Sequence, residues 1–208
     1  MTARGRDTKP HVGIFGRRNV GKSSLINALV GQDIAIVSDV AGTTTDPVKK
    51  SIEVHGLGPL IFIDTAGIDD TGDLGELRKK KSMASLKLID LAILVLSENR
   101  FGDHEAGLTE EFRKLDIPYV IVHNKSDLTP VTAELREQVM NLTGRKVTEY
   151  SALHPEKYNP ELLRMIREAM PATALKSHGL IGDLVNPGDI VLLITPIDIE
   201  APEGRLIL

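Results

Sequence analysis

Eight residues, Gly16-Arg17-Arg18-Asn19-Val20-Gly21-Lys22-Ser23, have the types and the spacing to grip a polyphosphate. They fit G-x-x-x-x-G-K-[ST], a loop whose backbone N–H groups converge on phosphate oxygens. Side chains would crowd such a cradle, so Gly16 and Gly21 let the backbone close in, with Arg17, Arg18, Asn19 and Val20 between them. Lys22 supplies a mobile point charge for the β- and γ-phosphates, and the Ser23 hydroxyl is a hard oxygen ligand for Mg²⁺. Ser24 opens a helix whose dipole favours an anion at this end. A chance match somewhere in a chain of 208 residues has a probability of about 1% at ordinary glycine usage.

Three further runs extend this chemistry. Asp64-Thr65-Ala66-Gly67 lies 42 residues beyond Lys22 and directly follows the apolar Leu60–Ile63. Asp64 can hold Mg²⁺ through water, and the Gly67 amide can reach a γ-phosphate because no side chain intervenes. Asn124-Lys125-Ser126-Asp127 ends the apolar run Tyr119–His123. The Asp127 carboxylate can accept from the guanine N1–H and the exocyclic amine together. Adenine offers an acceptor at the first position and nothing at the second, which would strand a buried carboxylate, so the site selects guanine. Tyr150-Ser151-Ala152-Leu153 fits the loop that meets the guanine carbonyl oxygen through a backbone N–H, which brings in Ser151 and Ala152. Alone that run is weak; its order and spacing after the others carry it. The loop Ser38–Asp46 sits where a nucleotide-sensing switch would lie. A threonine there can complete the Mg²⁺ shell when a γ-phosphate is present, and the consecutive Thr43, Thr44 and Thr45 leave the choice open.

The elements that must position these runs alternate along the chain. Strand patterns cover His11–Phe15, Ser51–Val54, Pro59–Ile63, Leu91–Leu96, Tyr119–His123 and Val147–Tyr150. The third to fifth are continuously apolar, as parallel strands covered on both faces are. Helical patterns lie near 22–31, 74–88, 105–115, 132–142 and 160–170. In the last, Asn159 is expected to cap, Pro160 to take the first helical position and Pro171 to end the helix. Alternating β and α units predict a doubly wound parallel sheet with ligands beyond the carboxyl ends of its strands, which is where every motif falls. The expected organisation is a polar tail over 1–8, a nucleotide-binding domain over 9–171, a Gly/Pro-marked linker over 172–188 and the start of a second domain over 189–208. The sequence stops on Arg205-Leu-Ile-Leu in mid-pattern, as a fragment of that second domain would.

With 41% hydrophobic and 26% charged residues, the composition is that of an ordinary globular chain. The net charge of -4 argues against a general nucleic-acid partner. The sequence has few aromatics (Tyr 3, Phe 4, Trp 0), too few for a stacking platform. No apolar run approaches the about 18 residues of a membrane span, and the N-terminus lacks the apolar core of a signal peptide. The expectation is a cytoplasmic protein without a membrane partner. There is no cysteine, hence no disulfide or thiolate-held metal in this sequence. The histidines at 11, 55, 104, 123, 154 and 178 lack ligand spacing. The basic run Arg78-Lys79-Lys80-Lys81 reads as a solvated helix face rather than a docking site.

Together the motifs resemble a Ras-like GTPase domain of the TrmE–Era–EngA class. Within that class, GRRNVGKSSLINAL, VSDVAGTTTDP, LGPLIFIDTAGIDD and the closing PIDIEAPEGRLIL are similar to HydF, the GTPase family that helps assemble the active site of FeFe-hydrogenases. The resemblance covers nearly the whole chain. It implies an α/β, Ras-like P-loop GTPase fold, with a mostly parallel doubly wound sheet flanked by helices. It also implies Mg²⁺-dependent hydrolysis of GTP to GDP and phosphate, with Thr44 as the switch threonine. In related potassium-activated GTPases the Asn of NVGKS, here Asn19, holds K⁺ beside the phosphates, where it can neutralise transition-state charge. Ile68 follows Gly67 where Ras-type proteins have glutamine, so slow intrinsic hydrolysis is expected. Relatives of the TrmE kind use a Glu 12 residues after the motif's Asp, which corresponds to Glu76 here; Asp69 and Asp70 are weaker rivals.

HydF proteins carry a C-terminal domain whose Cys and His residues bind a 4Fe–4S cluster. For this cysteine-free sequence the resemblance therefore implies the GTPase module plus the first strands of a dimerisation domain. The cluster would belong to the missing part. The implied partners are hydrogenase maturation proteins and the hydrogenase, with a homodimer in the full-length protein. Two alternatives compete with this reading. One is a ribosome- or tRNA-associated GTPase of the Era or EngA kind, and the other a catalytically silent scaffold that binds GTP.

Overall fold

The computed structural model of the protein describes residues 9–30, 37–40, 48–54, 57–64 and 86–174. Thr44, Gly67, Glu76, the basic run 78–81, most of the expected helix 74–88 and the expected second-domain strands lie outside the described residues. The chain divides into two units, 1–177 and 178–208, and the description concerns the first.

Seven strands form one sheet in the order β2-β3-β4-β1-β5-β6-β7. They are β1 (His11–Phe15), β2 (Val37–Val40), β3 (Val48–Val54), β4 (Gly58–Asp64), β5 (Leu91–Leu96), β6 (Tyr119–His123) and β7 (Val147–Glu149). From β4 across to β7 every pairing is parallel, as the continuous apolar runs predict. β2–β3 and β3–β4 are antiparallel. The described helices are α1 (Lys22–Val30), α2 (Asp103–Lys114), α3 (Ala133–Thr143) and α4 (Pro155–Ala169).

The strands alternate between two cores because successive side chains leave opposite faces. Val12, Ile14, Leu60, Phe62, Ile93, Val95, Val120 and Val122 meet α1 and α4 on one face. Phe15, Ile61, Ile63, Leu94, Ile121, Phe112 and Val139 fill the other, under α2 and α3. On that side Phe112 of α2 stacks edge-on to Phe15 at 5.2 Å and tilts against Tyr119 at 5.4 Å. Rings at this spacing add about 0.5–1.5 kcal/mol each beyond their buried area. The two-sided burial holds β1, β5 and β6 rigid, and their carboxyl ends all point to one rim.

Three local expectations are corrected. Residues 38–40, expected in the switch loop, belong to β2 and pair with Lys49, Lys50 and Ser51 of β3. The only sequence hint was a four-residue Val-Ser-Asp-Val alternation, too short to separate from a loop. The strand expected at Ser51–Val54 begins at Val48 and runs antiparallel to its neighbours, a direction that residue pattern does not encode. The final helix begins at Pro155, not Pro160, so Asn159 is no cap. Pro155 takes the first helical position, where its missing N–H removes no intrahelical bond. Pro160 sits one turn inside, and the carbonyl left without a donor is that of Glu156, in an exposed residue where water can serve it. Asn159 is fully buried instead: Tyr150 Oη donates to its Oδ1 at 2.8 Å, and its Nδ2 donates to Ala28 O of α1 at 3.1 Å. The helix does end before Pro171, with Met170 extended at ψ 129, as a residue preceding proline must be.

Candidate nucleotide site

The loop from Gly16 to Gly21 leaves β1 and enters α1. Gly16 has φ +138 and Gly21 φ +92, and a Cβ at either would stand 2.2 Å from Val95 O or 2.3 Å from Asn124 Nδ2. Both positions therefore admit only glycine, on dihedral and steric grounds together. Asn19 also takes a left-handed conformation, φ 63, which asparagine tolerates. Lys22 is buried, with its ammonium donating to Gly16 O at 2.6 Å and Arg17 O at 2.7 Å. The charge is thereby held over the mouth of the loop.

Arg17 and Arg18, expected to serve the phosphates through their amides, differ in their side chains. Arg18 is exposed. Arg17 makes a two-pronged pair with Glu105 of α2, Nε to Oε1 at 2.6 Å and Nη2 to Oε2 at 2.9 Å. The Gly102 N–H adds a third bond to Glu105 at 2.8 Å. Burial pushes the Glu105 carboxyl up, but Arg17 and the backbone N–H groups outweigh it and leave it below its usual range.

Asp64 ends β4 beside Ile14 of β1. Its Oδ2 accepts from Ser23 Oγ at 2.6 Å, while Oδ1 is buried without a hydrogen-bond partner. A buried polar oxygen left unpaired costs about 1–3 kcal/mol, and more where it carries charge. A hydroxyl and a carboxylate, both hard oxygen donors, with one oxygen still unsatisfied, fit Mg²⁺. Ser23 and Asp64 would hold it. Bound there, the ion supplies positive charge to the phosphate oxygens of a nucleotide. Asn19 is exposed at the rim, its amide oxygen a hard donor of the kind K⁺ takes. Thr44, the expected third contributor of oxygen, is outside the described residues.

The runs expected to read the base converge from β6 and β7. Asn124 Nδ2 donates to Val20 O at 2.9 Å and its Oδ1 accepts from Ala152 N at 3.3 Å. One buried amide thus ties its own loop to the phosphate loop, 104 residues away, and to the Ser151–Leu153 turn, 28 residues away. Lys125 Nζ donates to Asn19 O at 2.7 Å. Asp127, the expected guanine acceptor, is exposed. Ser151 is fully buried and its Oγ accepts from Leu153 N at 3.2 Å, tightening the turn. The Ala152 N–H, expected to meet the guanine oxygen, is engaged by Asn124, though at a length typical of a weak bond.

The structure therefore brings together Gly16–Ser24, Asp64, Asn124, Lys125, Asp127, Ser151 and Ala152 at one rim. Sequence reading missed Glu105, whose partner lies 88 residues away. It also missed His123 and Asn99, which brace the loop that carries Asp127. The available signal was a polar residue closing the otherwise apolar Tyr119–Val122.

Comparison with known proteins agrees with this geometry. Residues 11–125 match the family model described as "50S ribosome-binding GTPase", more than half of the 208 residues. Residues 180–208 match the "Hydrogen maturase F dimerization domain". The tRNA modification GTPase MnmE of Nitrosomonas europaea is 36% identical over 168 residues, covering 77% of this chain and 34% of that protein. Aquifex aeolicus Era bound to GDP and AlF4⁻ superposes with TM-score 0.62 at 26% identity, covering 77% of this chain and 56% of that one. Era in complex with MgGDPNP and a 16S ribosomal RNA segment gives TM-score 0.63 at 25% identity, covering 85% and 60%. The chain spans about a third of the length of the curated relatives it matches. Its Ras-like fold, its phosphate loop and a family match over most of the described sheet lead to one conclusion: the chain belongs to the 50S ribosome-binding GTPase family, enzymes that hydrolyse GTP.

Proposed function

We propose that this chain is the guanine-nucleotide switch of a hydrogenase maturation factor, which binds GTP with Mg²⁺ and hydrolyses it slowly with help from K⁺. The observation that carries this reading is the match of 180–208 to a hydrogen maturase F dimerization domain directly behind a GTPase match. In this reading Lys22 and the loop amides hold the phosphates, Ser23, Asp64 and Thr44 serve Mg²⁺, and Asn19 holds K⁺. Asp127 with Ser151 and Ala152 reads guanine, Gly67 meets the γ-phosphate, and Glu76 orders the attacking water. Iron–sulfur chemistry would be done by a further domain, with hydrogenase and its other maturation proteins as partners in the cytoplasm.

GTP hydrolysis measured in KCl and in NaCl tests the enzymatic half. The expected result is turnover well under about 10 per second, stimulated by K⁺ and no longer so in Asn19→Ala; a K⁺ response unchanged in that variant removes the cation role. Co-purification of the full-length protein with hydrogenase maturation proteins tests the biological half.

A second reading, a factor acting on tRNA or ribosomal RNA, is favoured by the 36% identity to a tRNA modification GTPase. Tight, salt-sensitive RNA binding by the full-length protein would favour it.

A further inference from the structure

Behind the base-reading loop lies a closed hydrogen-bond circuit that no nucleotide motif accounts for. His123, the last residue of β6, is fully buried. Its Nε2 stands 3.0 Å from the backbone N of Asn99, a group that can only donate. Nε2 must therefore accept, and in the neutral ring the proton is on Nδ1. Nδ1 lies 3.1 Å from Ser126 Oγ, and Ser126 Oγ donates to His123 O at 2.8 Å. Only one assignment satisfies every group: Asn99 N–H to Nε2, Nδ1–H to Ser126 Oγ, and Ser126 O–H to His123 O.

Asn99 is anchored in turn. It has φ 51, directly after Glu98 at φ 57, two successive left-handed residues that a β-carbon disfavours. Its Nδ2 donates to Pro130 O at 2.9 Å and its Oδ1 accepts from Thr132 N at 3.0 Å. The loop after β5 thus grips both ends of the segment that carries Asp127: His123 and Ser126 on one side, Pro130 and Thr132 on the other. Ser126 N donates to Tyr150 O at 3.0 Å, which links the same residue to the other base loop.

We propose that His123, as the neutral Nδ1–H tautomer fixed by the Asn99 amide, is the positioning residue that holds Ser126 and hence sets the Asp127 carboxylate for guanine recognition. This rests on reading Asp127 as the guanine acceptor. Protonation would put a second N–H at Nε2 facing the Asn99 N–H, two donors with no acceptor between them, so the loop must shift. Burial already holds the ring's pKa below its ordinary value. The charged groups that face the ring, Glu149 of β7 and Arg136 of α3, act in opposite directions and pair with each other at 2.8 Å.

The test compares GDP with IDP, which lacks the exocyclic amine that Asp127 would read. Affinities for both are measured by calorimetry on the full chain with Mg²⁺, for wild type, His123→Phe, His123→Asn and Ser126→Ala, between pH 5 and 7.5. The wild type should prefer GDP. That preference should shrink by about tenfold in His123→Phe and Ser126→Ala, the worth of one charge-linked hydrogen bond. His123→Asn, whose amide N–H can take the place of Nδ1–H, should restore most of it. The wild-type preference should also fall as the pH drops through the ring's lowered value, beneath the ordinary histidine range, with no such fall in His123→Asn.

Equal GDP preference in wild type and Ser126→Ala overturns the inference even where His123→Phe fails to fold. So does a pH response retained in His123→Asn. A wild type that binds GDP and IDP equally refutes the role given to Asp127 itself, and the inference falls with it.

Discussion

Asp127 is the proposed guanine acceptor, and its chemistry makes a sharp forecast. A carboxylate offers two acceptors to the two neighbouring donors of guanine, N1–H and the exocyclic amine. Asparagine offers one acceptor and one donor. Xanthine has N1–H beside a carbonyl, the complement of that pair. In Asp127→Asn, GDP affinity should fall by at least about a hundredfold and XDP should become the better ligand, because a site built on hydrogen bonds rejects a mismatched edge strongly. Competition of GDP and XDP against a fluorescent nucleotide reads this directly. Unchanged GDP preference would remove Asp127 from the base site. The residue stands out in sequence because Asn124–Asp127 is a contiguous run whose residue types suit one chemical job. His123 and Asn99 do not, since their link is a ring nitrogen meeting a backbone amide 24 residues away, which no run of letters encodes.

Between elements, an ion pair of Arg17 with Glu105 joins the phosphate loop to α2. Arg17 is held at both ends: its guanidinium by Glu105 and its carbonyl by the Lys22 ammonium. Glu105→Gln keeps the shape and removes the charge, so Arg17 loses the Glu105 carboxylate and the third contact weakens. Removing one partner of a buried pair costs about 3–5 kcal/mol; here the low end is expected, because the Arg17 side chain is 28% exposed and water can reach it. Urea unfolding should show this loss, and a stability change near zero would mean the pair holds nothing.

The pH sense follows from the lowered carboxyl. Its stabilisation is full above the ordinary glutamate value of 4.5 and is lost as pH falls through the lower folded value. The variant should therefore show a flatter acid limb than the wild type. Elements themselves were read well where burial on both faces wrote continuous apolar runs, as in β4, β5 and β6. They were read poorly where local signals conflicted. Asn159-Pro160 looks like a helix start, but Pro155 supplies one earlier, and the Tyr150–Asn159–Ala28 bonds recruit the asparagine into the interior. Tertiary packing overrode a capping preference worth about 1 kcal/mol.

At the scale of the whole molecule, the candidate nucleotide site and the dimerization-domain match fall in different units of the chain. Every described site residue, from Gly16 to Ala152, falls within the unit 1–177, whereas the dimerization-domain match covers 180–208 in the other. Among the described residues, α1 and α4 cover one sheet face and α2 and α3 the other, and α4 is tied to α1 through Asn159. Truncation after Ser177 should therefore leave a folded protein whose GDP affinity stays within about twofold of the full chain, a change of roughly 0.4 kcal/mol. Any concentration-dependent dimer seen by sedimentation in the full chain should disappear with the removed residues. A large loss of GDP binding on truncation would show that residues beyond Ser177 support the site, against the division proposed. A truncated protein that still dimerises would place the contact on the GTPase unit itself, where the exposed Leu128 and Leu153, 75% and 74% accessible on the two base-reading loops, would be the first positions to substitute.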